Sequence, residues 1–394
     1  MITKSKTWSA IKAIKSIVNK YPNIEFIVVV PTDNLKEQWE EYINTNNLSY
    51  NGNVVVINTA IKNNYITDIL IIDECHRANA TTFRNIFNTI SYKYILGLTA
   101  TFERLDNLHK EVIEKYCPVI DEITLEEALN NGWISEFKEY QVLIEVDDID
   151  VYKQYNKDFI KHFEFFDFNF DLALSMIGKN GYQNRVKLRD SLCTSGDYND
   201  KKMMLQTITY HATGFMRATQ ARKAFINNHP KKIEIARKII NSRQSQKIIT
   251  FSNNIKMAES IGCNGKVYSS KESNKKNRIT LDEFKNGDFQ VLHSSCKLNE
   301  GADLKGLSVA IILGLDSSKI KSVQRRGRVI RKENNKQAEI FNIVIVDTVE
   351  LKWFSNSHKD SSYITIDEEG LDDVLCGKEP RPYTKQIKNL QFRF

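Results

Sequence analysis

Asp73 and Glu74 follow directly on the apolar stretch "DILII" (68–72). Two neighbouring carboxylates at a strand end can divide two tasks. One holds a hard cation such as Mg²⁺, and the other polarises an attacking water. The same pair also reads as a solvated acidic turn, because Asp and Glu are common where strands end. Near the start of the chain, Lys6 and Thr7 are the residue types that close a phosphate-binding loop. The amine meets phosphate oxygens and the hydroxyl meets Mg²⁺. In the pattern G-x-x-x-x-G-K-[ST], glycines turn backbone N–H groups toward phosphate. Ser5 stands where the second glycine belongs, and the place of the first falls before Met1. The loop is therefore expected to be incomplete at its front, without the strand that feeds it. Alone, Lys6-Thr7 also reads as a chance pair at the head of a helix.

Further chemistry-bearing groups lie downstream. Thr99-Ala100-Thr101 follows "YILGL" (94–98) and offers two hydroxyls beside the carboxylates, or a simple helix cap. "VQRRGRVIR" (323–331) carries Gln324, Arg325, Arg328 and Arg331 on about two turns of an expected helix. Arg328 and Arg331 are three apart and would share a face. Arginines placed so can stabilise charge in phosphoryl transfer, and they can equally form a basic nucleic-acid or solvent face. After "QVLH" (290–293), the polar run from Ser294 through Gly301 to Asp303 reads as the lining of a cleft or as an ordinary surface loop.

These groups need elements to hold them. Trp8, Ile11, Ile14 and Val18 recur at helical spacing, and Pro22-Asn23 ends that helix. A β-branched run, 24–30, stops at Pro31, and 54–57 gives another short strand. With "DILII" and "YILGL" these are continuous apolar runs, the pattern of strands buried on both faces of a parallel sheet. From about 147 to 245 the sequence is helical and, in its second half, basic. That basic part is either a surface that contacts nucleic acid or a scaffold with a solvated face. Strand runs resume at 247–251, 266–268, 290–293, 309–313 and 340–346. The fold class is α/β: two parallel-sheet lobes with a mostly helical insertion between them. The expected division is lobe 1 over 1–125, linker and insertion over 126–235, lobe 2 over 236–350, and a patternless tail over 351–394. Ligands in such sheets bind at the carboxyl ends of strands, which is where the chemical groups stand.

Composition sets the outer bounds. The 394 residues suffice for two or three domains, and 41% apolar content excludes a disordered chain. A net charge of +7 is compatible with a polyanionic partner without requiring one. Cys75, Cys117, Cys193, Cys263, Cys296 and Cys376 are scattered, which argues against a disulfide framework or a zinc site. No signal-peptide core or membrane-spanning run is present, so a cytoplasmic protein with no membrane partner is expected.

The order of the motifs carries a resemblance. Lys-Thr, "PTDNLKEQW", "DECH", "TAT", "NEGAD" and "QRRGRVIR" run as they do in DExH-type superfamily 2 helicases and translocases. The chain resembles in particular the phage UvsW-like and XPB/RecG-like branch, over about residues 1–347. The resemblance implies two RecA-like lobes that clamp ATP and Mg²⁺ between them, with nucleic acid across the top. By resemblance, Lys6, Thr7 and Ser5 belong to the phosphate loop, Thr7 and Asp73 hold Mg²⁺, and Glu74 activates water. His76, Thr99 and Thr101 couple hydrolysis to movement. Gln324, Arg328 and Arg331 serve from lobe 2, the two arginines as fingers, while Gly301 and Asp303 touch nucleotide and nucleic acid. Pro31, Thr32 and Asn34 match the first backbone-gripping motif. "INTA" (57–60), which departs from the usual form of the next motif, offers Thr59. Ser294 is assigned to nucleic acid, and Phe251-Ser252-Asn253 resembles the opening motif of lobe 2. The implied partner is nucleic acid, DNA rather than RNA, gripped by its backbone by a monomer. An ATPase-impaired binding or annealing protein is the alternative, because of the incomplete loop. The motor of a restriction system ranks last, since no nuclease cluster is appended.

Overall fold

The computed structural model describes residues 2–80, 82–100, 110, 113–193, 196–295, 304–316, 318–333, 336–359, 361–381 and 383. Lobe 1 is built on β1 (Phe26–Val30), β2 (Gly52–Val56), β3 (Tyr65–Asp73) and β4 (Ile90–Leu98), all parallel in the order β2-β1-β3-β4. Every residue of β1 is buried. Val28 and Val30 face Ile11, Ile14 and Trp39 of two helices on one side of the sheet. Ile27 and Val29 face Cys75, Ala78 and Ile86 on the other. The alternation is the strand period of two, and each such aliphatic stabilises the lobe by about 1.5–3 kcal/mol. The first helix spans Ile2–Lys20, so Lys6 and Thr7 lie inside it rather than at its head. Trp8, expected on its apolar face, is half exposed, and Ala10, Ile11 and Ile14 make the buried stripe instead.

Lobe 2 holds β5 (Glu136–Ile144), β6 (Lys247–Ser252), β7 (Lys266–Tyr268), β8 (Val291–Ser295), β9 (Leu307–Ile312), β10 (Gln337–Ile345) and β11 (Ile364–Ile366). They form a seven-stranded parallel sheet in the order β11-β5-β10-β9-β6-β8-β7. This moves three of the expected boundaries. β5 was expected in the linker and instead pairs along its whole length with β10. The helix Pro230–Ser242 straddles the expected boundary at 235 and packs Ile235, Ile239 and Ile240 into the lobe 2 core. The expected tail contains the helices Glu350–Ser357 and Glu368–Leu375 and closes the sheet edge with β11.

The insertion between β5 and β6 is helical as expected: Ile149–Glu164, Phe170–Ser175, Gly181–Leu192 and Tyr198–Asn228. It has its own aromatic core around Phe159, Phe163, Phe166 and Phe215. Its two ends are pinned together by His229. The ring Nδ1 accepts the Lys231 N–H at 3.2 Å, which leaves Nε2 to donate to Asp148 Oδ1 at 2.9 Å. Among the described residues, no helix is long and apolar enough to cross a membrane.

Candidate nucleotide site

The carboxyl ends of β3 and β4 converge on one cluster. β3 delivers Asp73 as its last residue, and Glu74 then turns the chain in the left-handed region at φ 50° and ψ 48°. A non-glycine residue held there stores about 1–3 kcal/mol of strain, which surrounding contacts must offset. The contacts are visible. Glu74 N donates to Asp73 Oδ1 at 2.9 Å, and Arg77 N donates to Glu74 O at 3.0 Å. Lys6 Nζ reaches across from the first helix to Glu74 Oε1 at 3.1 Å. His76 Nδ1 lies 3.3 Å from Glu74 Oε2 and 3.0 Å from Thr99 Oγ1. The cluster thus runs Lys6, Glu74, His76, Thr99, with Asp73 beneath it.

Gly97 on β4 makes the turn fit. A Cβ there would lie 3.1 Å from Cys75 Sγ and 3.2 Å from Cys117 Sγ. Burial pushes the Cys75 thiol up to about 12 and the Cys117 thiol up to about 11, so both are inert sulfhydryl packing groups at neutral pH.

Asp73 is 6% exposed and has a partner that sequence reasoning missed. Trp39, wholly buried on the helix Asp33–Thr45, donates its indole N–H to Asp73 Oδ2 at 3.0 Å. The only signal for it was the final Trp of "PTDNLKEQW". Burial pushes the Asp73 carboxyl up from its ordinary range. Lys6 opposes this, the Glu74 charge adds to it, and the Trp39 and Glu74 N–H donors oppose it again.

The remaining expected residues are distributed as follows. Thr7 is buried beside Lys6, and Ser5 shares their helix. Pro31 closes β1, and Thr32 caps the next helix, its Oγ1 accepting the Leu35 N–H at 3.4 Å. Asn34 is exposed on the first turn of that helix, and Thr59 is exposed on the short helix Ile57–Ala60. Ser294, expected at nucleic acid, is instead 1% exposed inside β8, because that strand runs on through Ser295 and is buried throughout. Thr101, Gly301 and Asp303 lie outside the described residues.

In lobe 2 the helix Lys319–Val329 carries Gln324, half-buried, and Arg325, Arg326 and Arg328, all buried. Arg325 donates Nη1 to Gly314 O at 2.7 Å and lies 5.3 Å from the centroid of Phe251, which is core. Arg331 does not share the helical face expected of it. The helix ends at Val329, and Arg331 forms an antiparallel bridge with Ile134. Ser135 causes this: its N–H donates to Ile330 O and its hydroxyl to Arg331 O, each at 2.9 Å, drawing the chain out straight.

Carboxylates thus stand at the strand ends of one lobe and an arginine-bearing helix stands in the other. Residues 231–333 match the helicase conserved C-terminal domain, and residues 57–104 match the type III restriction enzyme res subunit. Two separate stretches of the chain thus match helicase-type families, and as an enzyme it is of the nucleic-acid-dependent ATPase class.

Among particular relatives, it is similar to the DNA 3'-5' translocase XPB2 of Sulfurisphaera tokodaii, with 25% identity over 373 residues covering 88% of this chain and 77% of that protein. Its fold is similar to the Pyrococcus furiosus Hef helicase domain, with TM-score 0.52, 16% identity, and coverage of 89% of this chain and 92% of the other. It is also similar to S. cerevisiae Dbp5 bound to RNA and ADP BeF3, with TM-score 0.53, 12% identity, and coverage of 90% and 80%. Both likenesses bear out two tandem RecA-like lobes.

Proposed function

We propose that this protein is an ATP-dependent translocase that moves along DNA by its backbone. The observation that carries the reading is the Lys6–Glu74–His76–Thr99 chain at the ends of β3 and β4. It puts an amine for phosphate, a carboxylate for water and a relay toward the rest of the lobe within one set of contacts. Lys6 holds phosphate oxygens when ATP is bound, which frees the Glu74 carboxylate to accept a proton from the attacking water. From lobe 2, Arg328 and Arg331 supply positive charge to the terminal phosphate while it is present. Its loss reopens the lobes.

Mg²⁺ fits the donors present. Asp73 and Thr7 offer hard oxygens, and one carboxylate plus nucleotide phosphates is how this ion is usually held. Among the described residues, no group of three or more His, Cys, Asp or Glu forms an all-protein metal cage. The ion neutralises phosphate charge when bound. Asp73 keeps its orientation through Trp39 and the Glu74 N–H.

Thr32, Asn34 and Thr59 supply hydroxyl and amide groups for phosphates, a grip without base readout. DNA is supported over RNA by the resemblance to a relative named as a DNA translocase. A single chain supplies both lobes, so a monomer suffices. The experiment is displacement of a third strand from a DNA triplex. ATP-driven displacement is the expected result, and ATP turnover without displacement would contradict translocation.

Trp39→Phe keeps the buried ring and removes the N–H. A hydrogen bond to a charged group is worth about 1.5–3 kcal/mol, so the Mg²⁺ needed for half-maximal turnover should rise by about tenfold to a hundredfold. A Mg²⁺ titration of ATP turnover checks this; an unchanged midpoint would remove Trp39 from the site.

A further inference from the structure

Beneath the arginine helix lies a buried polar network that the nucleotide site does not use. Glu139 on β5 is 3% exposed. Its Oε2 lies 2.8 Å from Arg326 Nε, an ion pair whose N–H is not aligned as a hydrogen bond. Its Oε1 accepts the Asn342 amide N–H at 3.1 Å and lies 3.1 Å from His358 Nε2. His358 Nε2 is also 3.1 Å from Ser322 Oγ, and Arg326 Nη1 donates to Ser361 Oγ at 2.8 Å. Ser322 and Arg326 are four apart on the helix Lys319–Val329 and share one face. Glu139 and His358 therefore hold that face at two points one turn apart.

The consequence is rotational. Arg328 follows Arg326 by two residues, which is about 200° around the helix axis. A clamp on the Ser322–Arg326 side fixes the direction in which Arg328 points on the other side. A buried charge of this kind is a weak source of stability, because desolvation offsets much of its attraction. Fixing one orientation is what such a network does well. Burial alone would raise the Glu139 carboxyl, but Arg326 and then His358 hold it below the usual range. A ligand pocket is not the explanation: the cavity beside the network is about 10 Å³, room for a water at most.

We propose that Glu139 and His358 form a positioning clamp that sets the rotation of the arginine helix, and so aims Arg328 at the transferred phosphate. The inference rests on the ATPase reading above. It is tested by a double-substitution cycle on the full chain, read as kcat and KM for ATP with saturating DNA. Glu139→Gln should lower kcat roughly tenfold to a hundredfold, the range a misplacement of about 1 Å produces, with KM for ATP nearly unchanged. In the Arg328→Ala background the same substitution should cost almost nothing, because the group it aims is gone. Ser322→Ala cuts the second hold without burying a bare charge. It should show the same coupling to Arg328→Ala, and it keeps the test alive if Glu139→Gln does not fold. Equal losses in both backgrounds, or a loss in KM alone, would overturn the clamp and leave the ATPase reading standing. No turnover by the unsubstituted chain would overturn both.

Discussion

Glu74→Gln should abolish nucleic-acid-stimulated ATP turnover while leaving nucleic-acid binding intact. The substitution preserves the size and most contacts of the side chain, so the left-handed turn at residue 74 survives. It removes the one property the reaction needs, a carboxylate able to take a proton from water. A positioned general base contributes about 10²–10⁴-fold, and the loss should lie in that range. Lys6 also loses its charged partner at 3.1 Å, which should leave ATP binding equal or tighter, not weaker. Nucleic-acid binding should persist because Glu74 is 5% exposed and offers no surface to a polymer. Phosphate release and fluorescence anisotropy on labelled DNA measure the two properties separately. Turnover by the variant comparable to the unsubstituted chain would remove Glu74 from the chemistry.

The second large effect concerns stability. Lys232 on the helix Pro230–Ser242 donates from Nζ to Leu313 O at 2.8 Å and to Glu350 Oε1 at 2.6 Å. Glu350 Oε2 accepts the Ile345 N–H at 3.1 Å. Both side chains are 0% exposed. Burial pushes Lys232 down and Glu350 up, and each opposes the shift of the other. The pair ties one helix to the ends of β9 and β10 at the centre of lobe 2.

Lys232→Met keeps the aliphatic stem and leaves a buried carboxylate without its cation. Breaking a buried pair from one side costs about 3–5 kcal/mol. The lobe 2 transition in calorimetry should fall by on the order of 10 °C. Adding Glu350→Gln removes the stranded charge and keeps an acceptor for Ile345, so most of the loss should return. A single variant as stable as the original would show that the pair contributes nothing.

The strand-end cluster was legible wherever polar residues follow an uninterrupted apolar run. "DILII" announces a strand buried on both faces, and Asp73 and Glu74 then fall at its end. "YILGL" places Thr99 the same way. β5 was not legible, because "EFKEYQVLI" puts Glu139 and Gln141 at buried positions. Those residues are tolerated because Arg326, His358 and Asn342 meet Glu139, and Thr365 meets Gln141 at 3.0 Å. All these partners come from the far end of the chain, so no local pattern reveals them. Trp39 was missed for a related reason. Its spacing marks a core residue, and only the packed helix shows that its N–H meets Asp73. Arg331 was misplaced because helical periodicity does not register Ser135, which claims the carbonyls at the helix end.

Phosphate release from ATP and Mg²⁺ by the full chain, with and without DNA, decides whether ATP at the ends of β3 and β4 drives a motor. An ATP-driven motor here should turn over severalfold faster when DNA is added and not at all without Mg²⁺. DNA binding with no phosphate release under either condition would contradict it.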